Sequence, residues 1–312
     1  MSESTAPDIA YEISYGKCKV PVYRVYAAPL VGVRPIPESP FVGRSNTLFA
    51  CEVDVEVFGD DFLPAYTVGD NRRVVATDSM KNVVLRQALA YDGATLEGFL
   101  ARLGRTFTAS YDQLRTLRLS ARELPFYPVP IPDGAGAFVE SDTLFQRTTG
   151  DTAVATLEIA GDAVVDHRCG RVDLELMKLS GSAFTAFVRD GFTTLPDRRD
   201  RPLFVGLDVH WRYADVADLL APNPARYVPA EQVRDLVRAV FADFVSESIQ
   251  HLVHEMGSRL LARFPQLAEV SFAAQNHTPD PIAISDTDPE TKVYTAPFPA
   301  HGLISLRLRR DA

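Results

Sequence analysis

The sequence predicts an α+β protein built as two tandem halves, each an antiparallel sheet carrying a pair of helices. Three observations lead there. Residues 48–58 alternate, with Phe49, Cys51, Val53, Val55 and Val57 on one side and Glu52, Asp54 and Glu56 on the other. That two-residue period is a strand with one dry face. Two later stretches carry helical stripes: Val233, Leu236, Val237, Val240, Phe241 and Phe244 over 230–244, and Ile249, Leu252, Val253, Met256, Leu260 and Leu261 over 246–264. The order strands, helix pair, strands recurs in the second half as a pattern, without close identity. Helices on one face of an antiparallel sheet suit that order.

Taken in order, residues 11–15 and 19–26 favour strands, and Gly16-Lys17 between them predicts a hairpin. Residues 72–76 read as a short strand. It leads into the stretch that organises the rest, Val74-Val75-Ala76-Thr77-Asp78-Ser79-Met80-Lys81-Asn82. A helix is expected over about 80–91, and after Asp92-Gly93 a second one, capped by Thr95, through Thr108. Residues 113–124 turn strand-like. Pro125, Pro128, Pro130 and Pro132 stiffen a connection that Asp133-Gly134 closes. The halves are therefore expected at 9–135 and 136–312. In the second, 152–159, 171–179 and 203–213 read as strands before the helix pair, with 269–274 and 302–309 after it.

The chain has 312 residues, 46% hydrophobic and 23% charged, enough for a sizeable core. A net charge of −9 offers no basic field for nucleic acid or an anionic membrane. No run of apolar residues is long enough to span a bilayer, and residues 1–8 lack a signal-peptide pattern. Cys18, Cys51 and Cys169 are odd in number and far apart, as expected of reduced thiols in a cytoplasm.

Three polar clusters could carry chemistry. Thr77-Asp78 has two readings. One residue of Thr77, Asp78 and Ser79 caps a helix, or the turn offers a hydroxyl and backbone amides to an anionic ligand. The loop from Arg189 to Arg201 is dense in charge and reads first as solvated surface. Gln275-Asn276-His277-Thr278 follows a strand. No metal site is expected: His251 and His254 are three apart with Glu255 after them, not in the zinc-protease order. His167, His210 and His301 have no ligand spacing. Dinucleotide, nucleoside-triphosphate and serine-elbow motifs are absent from the sequence.

Together these segments resemble the urate oxidase (uricase) family over nearly the whole chain. The resemblance is carried, in order, by Tyr15-Gly16-Lys17, by 75–82, and by Ser182-Ala183-Phe184 with 187–196. It continues in Asp200-Arg201, Ile249-Gln250, Gln275-Asn276-His277-Thr278 and Val293-Tyr294-Thr295, with Pro297-Phe298-Pro299 and Gly302. It implies a tunnelling fold whose four subunits close a barrel-like tunnel, a homotetramer with active sites at subunit interfaces. It also implies oxidation of urate by dioxygen to 5-hydroxyisourate and hydrogen peroxide, with no metal and no organic cofactor.

Residue by residue, the resemblance implies that Arg201 and Gln250 grip one edge of urate and Phe184 stacks on its face. Thr77, Asp78 and Ile249 meet other edges, the latter two through backbone N–H groups. Lys17 and Thr77 relay a proton, the lysine from one chain and the threonine from its neighbour. Asn276 holds dioxygen or water, and His277 completes the relay. Two departures stand out. Many members read Asn-Lys-His where this chain reads Asn276-His277-Thr278, which leaves Thr278 as the other candidate for the relay. Ile249 stands where Val is common. The alternatives are another tunnelling-fold purine or pterin enzyme, or a non-catalytic purine-binding oligomer; a buried base such as Lys17 has no evident use in a binder.

Overall fold

The computed structural model describes residues 9–295 and 300–311, so Pro297, Phe298 and Pro299 of the closing motif lie outside the described residues. Along the chain come β1 (Ser14–Val25), β2 (Leu48–Phe58), α1 (Leu63–Thr67), α2 (Thr77–Ala90), α3 (Leu96–Ser110), β3 (Thr116–Glu123), β4 (Phe126–Pro132), β5 (Phe138–Arg147) and β6 (Thr152–Ala160). Then follow β7 (Ala163–Lys178), β8 (Leu203–Tyr213), α4 (Val216–Leu220), α5 (Ala230–Asp243), α6 (Ile249–Arg263), β9 (Leu267–His277), β10 (Pro281–Ile284), β11 (Lys292–Tyr294) and β12 (Gly302–Arg309).

Eight strands make one antiparallel sheet in the order β1-β2-β3-β6-β7-β8-β9-β12, while β4 with β5 and β10 with β11 form separate hairpins. Strand, strand, helix, helix, strand, strand thus runs twice. β6 closes the first run, since it pairs with β3 and lies beneath α3. Position 135/136 falls in the turn between β4 and β5.

The alternation in β2 decides which face the helices cover. Val53, Val55 and Val57 are fully buried, as are Phe99, Leu103 and Phe107 of α3. Burying each such side chain contributes about 1.5–3 kcal/mol. Thr95 caps α3 by accepting the Gly98 N–H, as expected. The opposite face is charged: Arg118 spans Glu56 and Glu158 across three strands.

Three expectations are corrected. Residues 11–26 do not form a hairpin; β1 is one strand, paired with β2 along its length, with a register slip between Lys17 and Val20. Gly16 marks a close approach, not a turn, because a Cβ there would lie 1.8 Å from the Val55 carbonyl oxygen. Residues 72–76 form no strand; 72 and 73 lie in a turn and 74–76 run irregularly into α2. Val74 donates to the Asn71 carbonyl at 3.0 Å, and the β-branched Val75 is a buried anchor. The proline-rich connection is strand β4. Pro128, Pro130 and Pro132 alternate, so their missing N–H groups all fall on one edge of a two-stranded ribbon.

Candidate active site

Two clusters gather the residues singled out in the sequence, one at the β1 edge of the sheet and one at β8 and β9 toward its other end. The first joins β1 to the start of α2. Tyr15 packs edge-on against Phe62 at 4.9 Å, and its hydroxyl accepts the Val75 N–H at 2.9 Å. This tether holds the turn before α2 over β1. Thr77 and Asp78 are the first two residues of α2, and the cap position belongs to Ala76, which has no side-chain acceptor. The capping reading is therefore corrected: none of Thr77, Asp78 and Ser79 caps the helix, and its first N–H groups have no side-chain cap among the described residues.

The Asp78 carboxylate is engaged elsewhere. Lys81 donates to it at 2.5 Å and Asn82 at 3.0 Å. Lys81 chiefly, with Asn82 and Lys17, holds this carboxyl below the usual aspartate value. Lys17 lies within electrostatic reach of Asp78 in the same chain, on the strand that packs against α2. Within one chain Lys17 thus stands near the start of α2, the helix that Thr77 opens.

The second cluster is built from the loop between β7 and β8, the start of α6 and the end of β9. Backbone bonds fix the loop. Ala183 donates to Ser246 at 2.7 Å, Phe184 and Arg198 exchange bonds at 2.7 and 3.0 Å, and Arg201 donates to Ser182 at 3.0 Å. Phe184 stacks on Phe187 with centroids 4.9 Å apart and planes 7° off parallel. The charged loop is thus more than solvated surface. Arg189 pairs with Asp197 and Arg198 with Asp280. Arg201 pairs with no carboxylate among the described residues.

Arg201 is 7% exposed, its guanidinium lies 5.6 Å from the Phe184 ring centroid, and its Nε has no partner among the described residues. Nη1 donates to the Thr278 hydroxyl at 3.0 Å. Burial, with Arg198 nearby, pulls this guanidinium below the usual arginine value. A desolvated cation without a counter-charge is costly until an anion arrives. Beside it, Ile249 opens α6 with its side chain buried at 3%, and Ser248 caps that helix by accepting the His251 N–H. The Ile249 N–H stays open as the first of the helix. Gln250 is exposed, and its amide meets no partner among the described residues.

Alternation along β9 sorts its last residues. Asn276 faces Val205, which is buried on the helix side, so Asn276 and Thr278 share that side with Arg201. The Thr278 hydroxyl reaches Asn276 Oδ1 at 3.4 Å. His277 does not join them. It lies on the other face, against Phe204 at 5.3 Å and His301 at 5.1 Å, and its Nε2 is 3.3 Å from Gln275 Oε1. Thr278→Ala is therefore expected to loosen the Arg201 guanidinium, weakening an anionic ligand by about threefold to tenfold, the worth of one hydrogen bond. His277→Ala should change it by less; titration of both variants with urate checks the order.

Among the described residues no three His, Cys, Asp or Glu side chains converge as a metal site. His251 packs edge-on against Phe244 at 4.6 Å. In the sheet order β8 and β9, which carry the second cluster, stand five and six strands from β1.

The doubled strand-and-helix layout on one antiparallel sheet is that of the tunnelling fold, and its second cluster holds a buried guanidinium that faces no carboxylate among the described residues. The Uricase family pattern matches residues 167–305. The uricase of Haloferax volcanii is 47% identical over 85% of this chain and 88% of its own. The uric acid degradation bifunctional protein PucL of Bacillus subtilis is 42% identical over 96% of this chain and 61% of its own. The urate oxidase of Bacillus sp. TB-90 superposes with a TM-score of 0.93 at 40% identity, covering 96% of this chain and 100% of that one. The chain belongs to the uricase family.

Proposed function

We propose that this chain is a urate oxidase acting in purine catabolism, and that its active site is completed between subunits of a cytoplasmic homotetramer. The observation that carries the reading is Arg201: a buried, unpaired guanidinium against an aromatic face, beside the amide of Gln250. Arginine supplies a fork of donors and glutamine a donor with an acceptor, which suits the edge of a planar, anionic purine. Phe184 covers its face. The opposite edge needs the open N–H groups at Thr77 and Asp78. Since these stand at the far edge of the sheet, the partner subunit's β1 edge has to supply them.

In this reading Lys17, with Thr77, takes a proton from bound urate. The resulting dianion is electron-rich, and Asn276 holds dioxygen against its face. Both atoms of dioxygen leave as hydrogen peroxide, so water supplies the hydroxyl oxygen of 5-hydroxyisourate. Thr278 stands in the relay position on the Asn276 side, ahead of His277. Orientation and preorganised donors supply the catalysis without a metal or organic cofactor.

The test is purified, metal-stripped protein with urate in air, followed by urate absorbance, oxygen uptake and peroxide. Turnover that survives stripping is the expected result. Activity that returns only on adding a metal ion would overturn the cofactor-free mechanism. No urate loss in either state would overturn the function.

A further inference from the structure

β1 advances three residues from Lys17 to Val20 while β2 advances two, from Val55 to Val53. The extra residue is a β-bulge. It decides the face on which Lys17 lies. Val20, Val53 and Val55 point into the core at 2%, 0% and 0% exposure. Unbroken alternation would put Lys17 on the face opposite Val20, away from α2. The bulge returns Lys17 to the helix side, across from Val55 and in reach of Asp78. To do so Lys19 takes φ 54°, a backbone region that non-glycine residues seldom enter. The Lys19 N–H is held there by Asp54 Oδ1 at 2.6 Å.

The second half contains the same construction. From Arg171 to Leu174, β7 advances three residues while β8 advances two, from Val209 to Leu207. Asp173 takes φ 60°, and its N–H donates to Asp208 Oδ1 at 2.9 Å. The surrounding sequence corresponds: Gly16-Lys17 with Gly170-Arg171, and Val53-Asp54-Val55 with Leu207-Asp208-Val209. Arg171 is turned to the helix side and feels Glu231 in the first turn of α5, as Lys17 feels Asp78 in α2. There the cation is occupied, by Glu123 at 3.1 Å and Asp151 at 2.5 Å. In both halves an aspartate-pinned bulge aims a cation at the start of a helix.

We infer that Asp54 is a positioning residue for the reaction: by pinning the bulge at Lys19 it turns Lys17 into the active site. This rests on Lys17 being the base of the proposed urate oxidation.

The test compares Asp54→Ala with Asp208→Ala in the full-length, assembled protein. Asp54→Ala is expected to lower kcat by roughly tenfold or more, with KM for urate within about threefold. Combined with Lys17→Met it should be no worse than Lys17→Met alone, because both act through one group. Asp208→Ala loses the matching bond at a bulge that aims no catalytic group, and should keep kcat within about threefold. Asp54→Asn retains the Oδ1 acceptor and should stay near wild type. Lys19→Gly, which takes a positive φ freely, should recover about threefold or more of the Asp54→Ala loss.

Wild-type kcat in Asp54→Ala, equal losses in Asp54→Ala and Asp208→Ala, or additive losses with Lys17→Met would each overturn the inference. Should Asp54→Ala fail to assemble, Asp54→Ala/Lys19→Gly is read against Lys19→Gly by the same criteria. Failure of the underlying reading looks different: the wild-type protein would not oxidise urate, or Lys17→Met would turn over normally.

Discussion

Lys17→Met is expected to lower kcat by about 100-fold or more while urate affinity changes by less than about threefold, the signature of a lost proton acceptor. Methionine keeps the length and apolar stem of lysine, so packing under α2 is retained and only the base is lost. Thr77→Ala should follow in the same direction with a smaller drop, since it removes one member of the relay and leaves the helix start intact. The position of the clusters makes the prediction sharper. Lys17 and Thr77 sit at the β1 edge, whereas Arg201 leads into β8, five strands away, and Gln250 lies on α6, which packs on β9 and β12. Co-assembly of Lys17→Met chains with Arg201→Ala chains should therefore rebuild whole sites, Lys17 coming from one parent and Arg201 from the other. With random mixing about a quarter of the sites are intact. Inactive mixtures, with assembly verified, would rule out a site shared between chains. Wild-type turnover in Lys17→Met would remove it as the base.

How much of this was legible in the sequence depends on what each signal measures. Periodicity reports burial, so β2, β8 and the stripes of α5 and α6 could be read almost to their ends. Local composition is poorer at separating a turn from a close approach. Gly16 looks like a hairpin residue, yet it lies mid-strand because Val55 crowds it. Pro128, Pro130 and Pro132 look like a linker, yet their even spacing suits a ribbon edge. The bulge in β1 has no compositional mark at all: Lys19 is neither Gly nor Asn, and its partner Asp54 is 35 residues away. Without that bulge the alternation of β1 cannot place Lys17 and Val20 on one face. At β9 the reverse holds. Simple alternation from the buried Phe272 and Ala274 puts Asn276 and Thr278 together and turns His277 away. Ser248 caps α6 and so starts it at Ile249, three residues later than the apolar stripe from 246 alone suggests.

Arg201→Ala should weaken urate binding by roughly 10- to 150-fold, about 1.5–3 kcal/mol for charge-assisted bonds, measured by titration without dioxygen. Its effect on stability should be the opposite of what burial suggests. Most buried charges are held by a partner, and deleting one leaves the other stranded. Arg171 is such a case: it is 1% exposed and held by Glu123 and Asp151. Arg171→Ala is expected to cost about 3–5 kcal/mol of folding free energy. Arg201 has no carboxylate to strand among the described residues, and its Nε is already unpaired. Removing it relieves a desolvated charge and gives up one bond, to Thr278. Its thermal midpoint should stay at or above that of the wild type while affinity collapses. That divergence is what separates a cation kept for a ligand from one kept for the fold. Unchanged affinity, or a fall in midpoint comparable to that of Arg171→Ala, would show that Arg201 belongs to the scaffold and not to the site.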